Sequence, residues 1–407
     1  MHASAIEAMV PWLHGSGANP SGAHRAARAA RRAIDDARDQ IAAVVGAHPS
    51  EVVFTSGGTE ADNLAIFGAV DARAAVVAGA DSVVTAWCSS IEHPAVLEAV
   101  SRVRATLTRR ATPTSGDAGP WLSVSPDGRL DLDAANARLA DAARRGDELA
   151  VVSLMTVNNE VGVIQPVVEF AAQVRAHLPT TLVHTDAIQA LTWLDLREVW
   201  AAVDLLSLSG HKFGGPAGVG ALIVRRGSPV TDRQIGGGQE AGRRAGTPSV
   251  AAIVAMGVAA HEADRNRSAT VTRVTRLRDR LADGLQAQIP DLIEPGVVDG
   301  NRSGRVAGNA HVCMPGVDSE ALLFLLDDAG IAASAASSCA SGAHQGSHVL
   351  AAMGVDASAT RGALRLTLGS TTTQAEVDGA LTVVIAAVQR LRRQRTAQPS
   401  DAIGARS

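Results

Sequence analysis

Residues 203–215 read Val-Asp-Leu-Leu-Ser-Leu-Ser-Gly-His-Lys-Phe-Gly-Gly, an apolar run that ends in a polar pair and a glycine turn. The run 203–208 predicts a buried strand, and the two glycines predict a turn just beyond it. Lys212 lies between them and is the only lysine among 37 lysine and arginine residues. Because a lysine amine can lose its proton and form an imine, whereas a guanidinium stays charged, we interpret Lys212 as a reactive amine. The alternative is a surface lysine left by chance, but a core strand seldom ends in one.

Length, charge and cysteine content limit the classes of protein to which the chain can belong. Its 407 residues are too many for one compact core and predict two domains. The net charge of −4 and the dispersed arginines give no basic stripe for nucleic acid. The longest apolar run, 250–260, is too short to cross a bilayer, and residues 1–13 do not have the pattern of a signal peptide. Cys88, Cys313 and Cys339 are widely spaced, which favours a reducing cytoplasm over a disulfide framework.

Apolar strand patterns alternate with helical patterns along the first 250 residues. Strands are predicted at 52–55, 82–86, 149–155, 181–185, 205–208 and 219–224, and helices at 24–45, 59–70, 94–103 and 131–145. This alternation indicates an α/β fold in which a mostly parallel sheet lies between helices. The segment after residue 249 has a long helical pattern, followed by a shorter stretch in which helix and strand patterns are mixed, as in an α+β domain. We therefore expect a large domain over 15–255, a small domain built from 1–14 and 256–395, and a disordered tail at 396–407.

Polar residues follow several predicted strands, and ligands of parallel sheets bind beyond the carboxyl ends of the strands. The stretch 55–60, Thr-Ser-Gly-Gly-Thr-Glu, leaves backbone N–H groups at a helix start, which suits a phosphate or is simply a helix entry. His93 opens the next helix, where a structural role is the commoner interpretation. Asn158 and Asn159 either cap a turn or bind a carboxylate. Asp186 ends a buried strand, where a carboxylate is costly unless it is paired with a cation.

Two later segments also carry chemistry. Segment 243–247, Arg-Arg-Ala-Gly-Thr, is suited to approach an anion. Cys339 lies in 337–342, Ser-Ser-Cys-Ala-Ser-Gly, whereas Cys88 and Cys313 have apolar neighbours as core cysteines usually do. We therefore expect Cys339 to be exposed and reactive. Two histidines follow it at helical spacing, but no fourth ligand is evident, and no metal site is predicted.

Taken together, these motifs resemble the cysteine desulfurases (NifS/IscS-like), members of the class V pyridoxal-phosphate-dependent aminotransferase family. The resemblance runs from about residue 19 to 373 and is carried, in order, by NPS-x-x-H, TSGGTEADN, EHPAV, VNNEVG, TDAIQ, SGHK, AGT, SSCASG and RLTLG. Each motif alone is weak, whereas their order is highly specific. It implies the type I pyridoxal-phosphate transferase fold, with a large and a smaller α+β domain, and a homodimer with active sites at the subunit interface.

The resemblance also implies roles for individual residues. Lys212 would bond the cofactor, pyridoxal 5'-phosphate, and move the α-proton of the substrate. Asp186 would pair with the ring nitrogen, and Gln189 would bind the phenolate oxygen. His93 would stack on the ring and act as acid–base for the substrate thiol. The phosphate would be held by Gly58, Thr59, Ser209 and His211, with Thr247 supplied by the neighbouring subunit.

Three further implications concern the substrate and the product. Asn159, which is also expected at the cofactor, would clamp the substrate carboxylate together with Arg365. Cys339 would accept the sulfur of L-cysteine as a persulfide and release L-alanine. The persulfide would then pass to an acceptor protein, either an iron–sulfur cluster scaffold or a tRNA-thiolating enzyme. The alternatives are a selenocysteine lyase, another class V lyase, or an inactive scaffold that binds a sulfur carrier.

The start of the chain differs from the family pattern. Members usually have a short strand and an Ala-Thr-Thr-Pro segment near the cofactor before the point at which this chain has Met1. We therefore expect the native protein to carry about a dozen more residues, the length of one strand with its connection. An in-frame stop codon immediately upstream of Met1 would contradict this expectation.

Overall fold

The computed structural model describes residues 1–14, 18–77, 83–108, 119–335 and 346–397. Within them the helices are α1 (Ala3–Leu13), α2 (Arg25–Val45), α3 (Gly58–Val76), α4 (Pro94–Thr108), α5 (Leu132–Arg145), α6 (Val167–His177), α7 (Arg197–Ala202), α8 (Val250–Gln288), α9 (Ser319–Asp328), α10 (His348–Ala352), α11 (Ala357–Thr360) and α12 (Gln374–Ala397). The strands are β1 (Val52–Thr55), β2 (Val84–Ser89), β3 (Trp121–Leu122), β4 (Glu148–Ser153), β5 (Leu182–Asp186), β6 (Leu205–Ser209), β7 (Gly220–Val224), β8 (Asn309–Cys313) and β9 (Ala363–Thr367). None of these helices is both long enough and apolar enough to cross a membrane.

The larger sheet has seven strands in the described part of the chain, in the order β1-β7-β6-β5-β4-β2-β3. The pairs within β3, β2, β4, β5 and β6 are parallel, whereas β7 runs antiparallel to both β6 and β1. Consequently β1, β2, β4, β5 and β6 all end at the same edge of the sheet. The predicted α/β class with a mostly parallel sheet is confirmed.

Burial explains why the central strands are apolar throughout. In β6, Leu205, Leu206 and Leu208 are fully buried, as expected for a strand covered on both faces. Helix α3 packs on the sheet through small residues, and Ala61 and Ala65 belong to the same core cluster as Leu205. Each fully buried leucine contributes about 2 kcal/mol of hydrophobic stabilisation. The start of α3 and the end of β6 are thereby held on one rigid core.

Glycine is required where α3, β1 and β6 meet. A Cβ at Gly220 of β7 would lie 2.6 Å from the Leu208 carbonyl oxygen and 2.7 Å from the Gly57 carbonyl carbon. A Cβ at Gly58 would overlap the Cδ1 atom of Ile188. At Gly220 only a residue without a side chain allows these backbones to approach so closely, whereas at Gly58 the Ile188 side chain would have to move.

The chain divides into two compact units, the first formed by 1–125, 129–159 and 164–268, and the second by 126–128, 160–163 and 269–407. The first unit carries the seven-stranded sheet, and the second carries the antiparallel β8–β9 pair.

This division differs from the predicted one at two places. Residues 1–14 belong to the first unit, where the His2 N–H donates to the Gly214 carbonyl at 2.8 Å and Ala5 is buried. The boundary lies near residue 268, inside the continuous helix α8, instead of at residue 255. A helix that continues unbroken gives no turn signal, so its sequence cannot show where one unit ends. The predicted tail at 396–407 lies almost wholly outside the described residues.

Candidate active site

The carboxyl-end edge of the large sheet brings three of the predicted site residues together. In the β5–β6 register Asp186 lies opposite Ser207, two residues before Ser209. Thr55 of β1 and Ser209 of β6 both lie opposite Gly220 of β7. A Cβ built on Gly58 would be 3.4 Å from the Ser209 Cβ. Gly58, Asp186 and Ser209 therefore share one edge, as the strand-end argument predicts.

Asp186 is a buried carboxylate, 4% exposed, at the end of β5. Burial raises its pKa from 3.8 to about 6, even though the Ile188 N–H, which donates to Oδ1 at 2.8 Å, and the charge of Lys212 both lower it. The field of Lys212 thus reaches Asp186. An ionised carboxylate in such a place needs a cationic partner with a fixed position. A protonated ring nitrogen fits this requirement.

Lys212 is presented by a single turn of 3-10 helix, Gly210–Lys212, which follows β6 directly. The turn is anchored at the buried Gly210, whose N–H donates to the Val219 carbonyl at 3.0 Å. Lys212 and His211 are both exposed. The Ser209 hydroxyl and the His211 Nδ1 lie 3.0 Å apart. Partial burial of its ring, together with the Lys212 charge, lowers the pKa of His211, so that its imidazole is neutral at neutral pH.

The N-terminus of α3 provides the setting for an anion. This helix has 19 residues, and its first N–H groups have no partner within the helix. Thr59 is exposed at this end. Glu60 is turned back, since its carboxylate accepts from the Ser56 N–H at 2.7 Å and from Arg244 at 2.8 Å. With the nearby Ser209 hydroxyl, the helix start can accommodate a phosphate.

His93 and the asparagine pair are placed as follows. His93 is half-buried, and its Nδ1 accepts from the Ala95 N–H at 3.1 Å at the start of α4. Asn158 is buried, and its Nδ2 donates to the Ile91 carbonyl at 2.9 Å, a long-range structural contact and not the turn cap that the sequence offered as an alternative. The adjacent Asn159 is half-buried.

The remaining predicted residues are dispersed over the chain. Gln189 is half-buried in the first unit, and Thr247 is exposed in that unit. Arg365 lies on β9 of the second unit and is half-buried. Cys339 lies outside the described residues. The functional roles assigned to all of these residues stay predictions.

Sequence reasoning missed a layer of buried ionisable groups next to Asp186. Asp62 of α3, Glu92 and His184 of β5 are all fully buried. His184 Nδ1 lies 2.8 Å from the Ser153 hydroxyl, and its Nε2 lies 3.0 Å from the Ser207 hydroxyl.

The charge states of this layer follow from its burial. Burial lowers the pKa of His184 to about 3, so the ring is neutral. Burial and the neighbouring charge of Asp186 raise the pKa of both Asp62 and Glu92 well above its usual range. These two groups therefore favour the protonated form while Asp186 is ionised. The sequence carried one signal, a histidine within the predicted strand 181–185.

Comparison with known proteins shows the family to which the chain is similar. The model of the family described as aminotransferase class-V matches residues 1–379. An IscS-like cysteine desulfurase of Mycobacterium tuberculosis (strain ATCC 25618 / H37Rv) is 43% identical over 394 residues, which cover 97% of this chain and 95% of that protein.

Solved structures agree with the sequence relatives. A NifS-like protein superposes with a TM-score of 0.82 at 28% identity, covering 96% of both chains. A protein described as SspA in complex with cysteine superposes with a TM-score of 0.73 at 28% identity, covering 92% of this chain and 97% of the other.

Proposed function

The chain belongs to the class-V aminotransferase family, and we propose that it is a cysteine desulfurase that converts L-cysteine to L-alanine and retains the sulfur as a persulfide. The observation that carries the proposal is the buried Asp186, within the field of Lys212, at the carboxyl edge of the sheet. The extent of the match to an IscS-like cysteine desulfurase supports the choice of substrate. The cysteine complex of one structural neighbour supports it too.

The family implies pyridoxal 5'-phosphate, and the residues present fit this group. Asp186 is a buried anion suited to a protonated ring nitrogen, and the start of α3 with Ser209 is suited to a phosphate. The residues that would hold the cofactor are Gly58, Thr59, His93, Asn159, Asp186, Gln189, Ser209, His211 and Lys212, with Thr247 of a second copy. When bound, the cofactor supplies an aldehyde for a lysine amine and an electron sink for charge that develops on the substrate.

The protein's own groups then bind the substrate and move its protons. Asp186 would pair with the ring nitrogen of the cofactor and thereby favour its protonated form. The Lys212 Nζ removes the proton from the α-carbon of the bound cysteine, and the His93 imidazole takes the proton of the substrate thiol. Asn159 and Arg365 hold the substrate carboxylate, Arg365 by two parallel N–H donors.

Sulfur transfer is completed at Cys339. Its thiolate attacks the sulfur of the bound cysteine, so that an S–S bond forms as the C–S bond breaks. The electron pair and a proton remain on the three-carbon fragment, which leaves as L-alanine. No external oxidant is needed, because the sulfur atom passes to Cys339 at the oxidation level of a persulfide.

The further destination of the sulfur follows from the family resemblance. We propose that the persulfide sulfur is transferred from Cys339 to an acceptor protein, either an iron–sulfur cluster scaffold or a tRNA-thiolating enzyme. We also propose that the reaction takes place in the cytoplasm. The active form would be a homodimer, because Thr247 is assigned to the site of the neighbouring subunit.

Two substitutions test the proposed function. Purified protein with pyridoxal 5'-phosphate should show the absorbance band of a lysine-bound cofactor and lose it in Lys212→Ala. Cys339→Ala should stop desulfuration of L-cysteine, whereas Cys88→Ala, which removes a buried thiol, should keep it. Desulfuration by Cys339→Ala at the wild-type rate would contradict persulfide transfer, and release of selenide alone would favour a selenocysteine lyase.

A further inference from the structure

Glu160 follows the two asparagines of the VNNEVG motif and has no part in the proposed reaction. It lies in the second unit and is 6% exposed. Its carboxylate Oε2 accepts a hydrogen bond from the Ser347 hydroxyl at 2.5 Å. Its backbone carbonyl accepts from the Asn309 side chain at 2.9 Å and lies 3.0 Å from the His311 Nδ1. Ser347 therefore holds the carboxyl group of Glu160, and two residues of β8 hold its backbone, in a buried position.

The cation that acts on Glu160 is Arg365. Arg365 lies on β9 directly opposite His311 of β8, the residue that contacts the Glu160 backbone. The positive charge of Arg365 lowers the pKa of Glu160, and so does the Ser347 hydrogen bond. Burial is the larger effect and raises this pKa from 4.5 to about 7. At neutral pH both the protonated and the ionised form are populated.

The other groups in this cluster do not compete for the proton. His311 is fully buried, which lowers its pKa to about 3 and leaves its ring neutral. Arg305 is buried, and although burial lowers its pKa to about 10 it stays charged at neutral pH. The positive charges of Arg305 and Arg365 also lower the pKa of His311. Glu160 is thus the group in this cluster that titrates near pH 7.

We propose that Glu160 takes up a proton when the carboxylate of an amino-acid substrate binds to Arg365, and that it thereby couples substrate affinity to pH. The inference rests on the proposed function, which assigns the substrate carboxylate to Arg365. A bound carboxylate neutralises the cation that favours ionised Glu160 and adds a second negative charge nearby. Both effects favour the protonated form of Glu160, and by linkage ionised Glu160 weakens substrate binding.

The test compares wild type with Glu160→Gln, which keeps the shape of the protonated side chain. L-alanine, the product, is titrated into cofactor-loaded protein, and its Kd is measured from the cofactor absorbance between about pH 5.5 and about pH 8.5. Titrations shared by both proteins, such as that of the ligand amine, cancel in the ratio of the wild-type Kd to the variant Kd. We expect a ratio of one at low pH that rises through pH 7 to about tenfold, which corresponds to a rise of one in the Glu160 pKa on binding.

Two controls distinguish this coupling from a structural effect. Ser347→Ala removes a donor that lowers the Glu160 pKa, so the same rise should begin at a higher pH, whereas Ser347→Thr keeps the hydroxyl and the wild-type curve. Calorimetry in two buffers of different protonation enthalpy should show more proton uptake on L-alanine binding to wild type near pH 7 than on binding to Glu160→Gln, because the titrations that both proteins share cancel in the difference.

A ratio that does not change with pH, or weaker L-alanine binding by Glu160→Gln above pH 7, would overturn the proposal. Conversion of L-cysteine to L-alanine by wild type, measured separately, reports on the proposed function. A protein that desulfurates cysteine but gives a flat ratio therefore contradicts the role of Glu160 alone.

Discussion

Replacement of Asp186 by asparagine should stabilise the cofactor-free protein at neutral pH while it abolishes turnover. Asp186 is buried, and burial raises its pKa from 3.8 to about 6 in the folded protein. A difference of about two between the folded and the unfolded pKa corresponds to about 3 kcal/mol of folding free energy. This energy is the cost of keeping an ionised carboxylate ready for a cofactor.

The pH range follows from the direction of the change in pKa. Because the folded pKa is the higher one, folded protein binds more protons than unfolded protein between about pH 4 and pH 6. Stability is therefore lost as the pH rises through this range and stays lower above it. Because asparagine does not titrate, Asp186→Asn and wild type should be equally stable below about pH 4. Above about pH 6 the variant should be more stable by about 3 kcal/mol.

Urea unfolding of cofactor-free wild type and Asp186→Asn at about pH 5 and about pH 8 measures this difference. We expect the variant to gain about 3 kcal/mol at the higher pH and roughly half as much at the lower one. Asp195→Asn is a matched control: Asp195 is largely exposed, and hydrogen bonds from Arg197 outweigh its slight burial and lower its pKa, so its loss should not stabilise. Equal gains at both pH values, or a less stable Asp186→Asn at pH 8, would refute the electrostatic account of Asp186.

Two further predictions concern packing and thiol reactivity. Gly220→Ala should lower the free energy of unfolding by about 3 kcal/mol, because its Cβ would meet backbone atoms of Leu208 and Gly57. As a control, Gly379→Ala in α12, where a Cβ would meet no other atom, should raise the free energy of unfolding by about 0.5 kcal/mol. Equal urea midpoints for the two variants would contradict the packing argument. Burial raises the pKa of the Cys88 and Cys313 thiols, that of Cys313 to about 12. Titration of the native protein with a disulfide reagent should therefore give one fast thiol, lost in Cys339→Ser, and two fast thiols would be the opposing result.

The position of the site at this edge of the sheet could be predicted from the sequence, because each motif that indicates it is a short local sequence pattern. Asp186 directly follows the predicted strand 181–185, and Lys212 follows the apolar run 203–208 after a Ser-Gly-His sequence. Parallel strands bring such ends together. The glycines of the stretch before α3 marked the point where backbones approach.

The layer of buried ionisable groups could not be predicted from the sequence, because it depends on which residues face each other across neighbouring strands. His184 meets Ser153 of β4 and Ser207 of β6, and no local pattern relates these three positions. The titration of Glu160 likewise results from its burial and its contact with Ser347, 187 residues along the chain. The periodicity of apolar residues shows which residues share a face of one helix or strand. It does not show contacts between residues that are far apart in the sequence.

Helix α1 shows a third limit. Ile6 and Val10 are exposed at 44% and 41%, so the apolar side chains of this helix do not identify the face by which it docks. The helix is joined to the rest of the first unit by the hydrogen bond from the His2 N–H to the Gly214 carbonyl, by the hydrogen bond from the Ser4 hydroxyl to the Glu262 carboxylate and by the burial of the small residue Ala5. None of these contacts is visible as a hydrophobic pattern.

A single turnover with isotopically labelled L-cysteine tests the central claim most directly. Cofactor-loaded protein is mixed with one equivalent of L-cysteine labelled on sulfur, and intact mass and released amino acid are measured together. The account predicts one L-alanine per active site and one labelled sulfur atom on the peptide that contains Cys339, with neither product formed by Lys212→Ala. Release of L-alanine with no sulfur on Cys339, or labelled sulfur on Cys88 or Cys313, would contradict it.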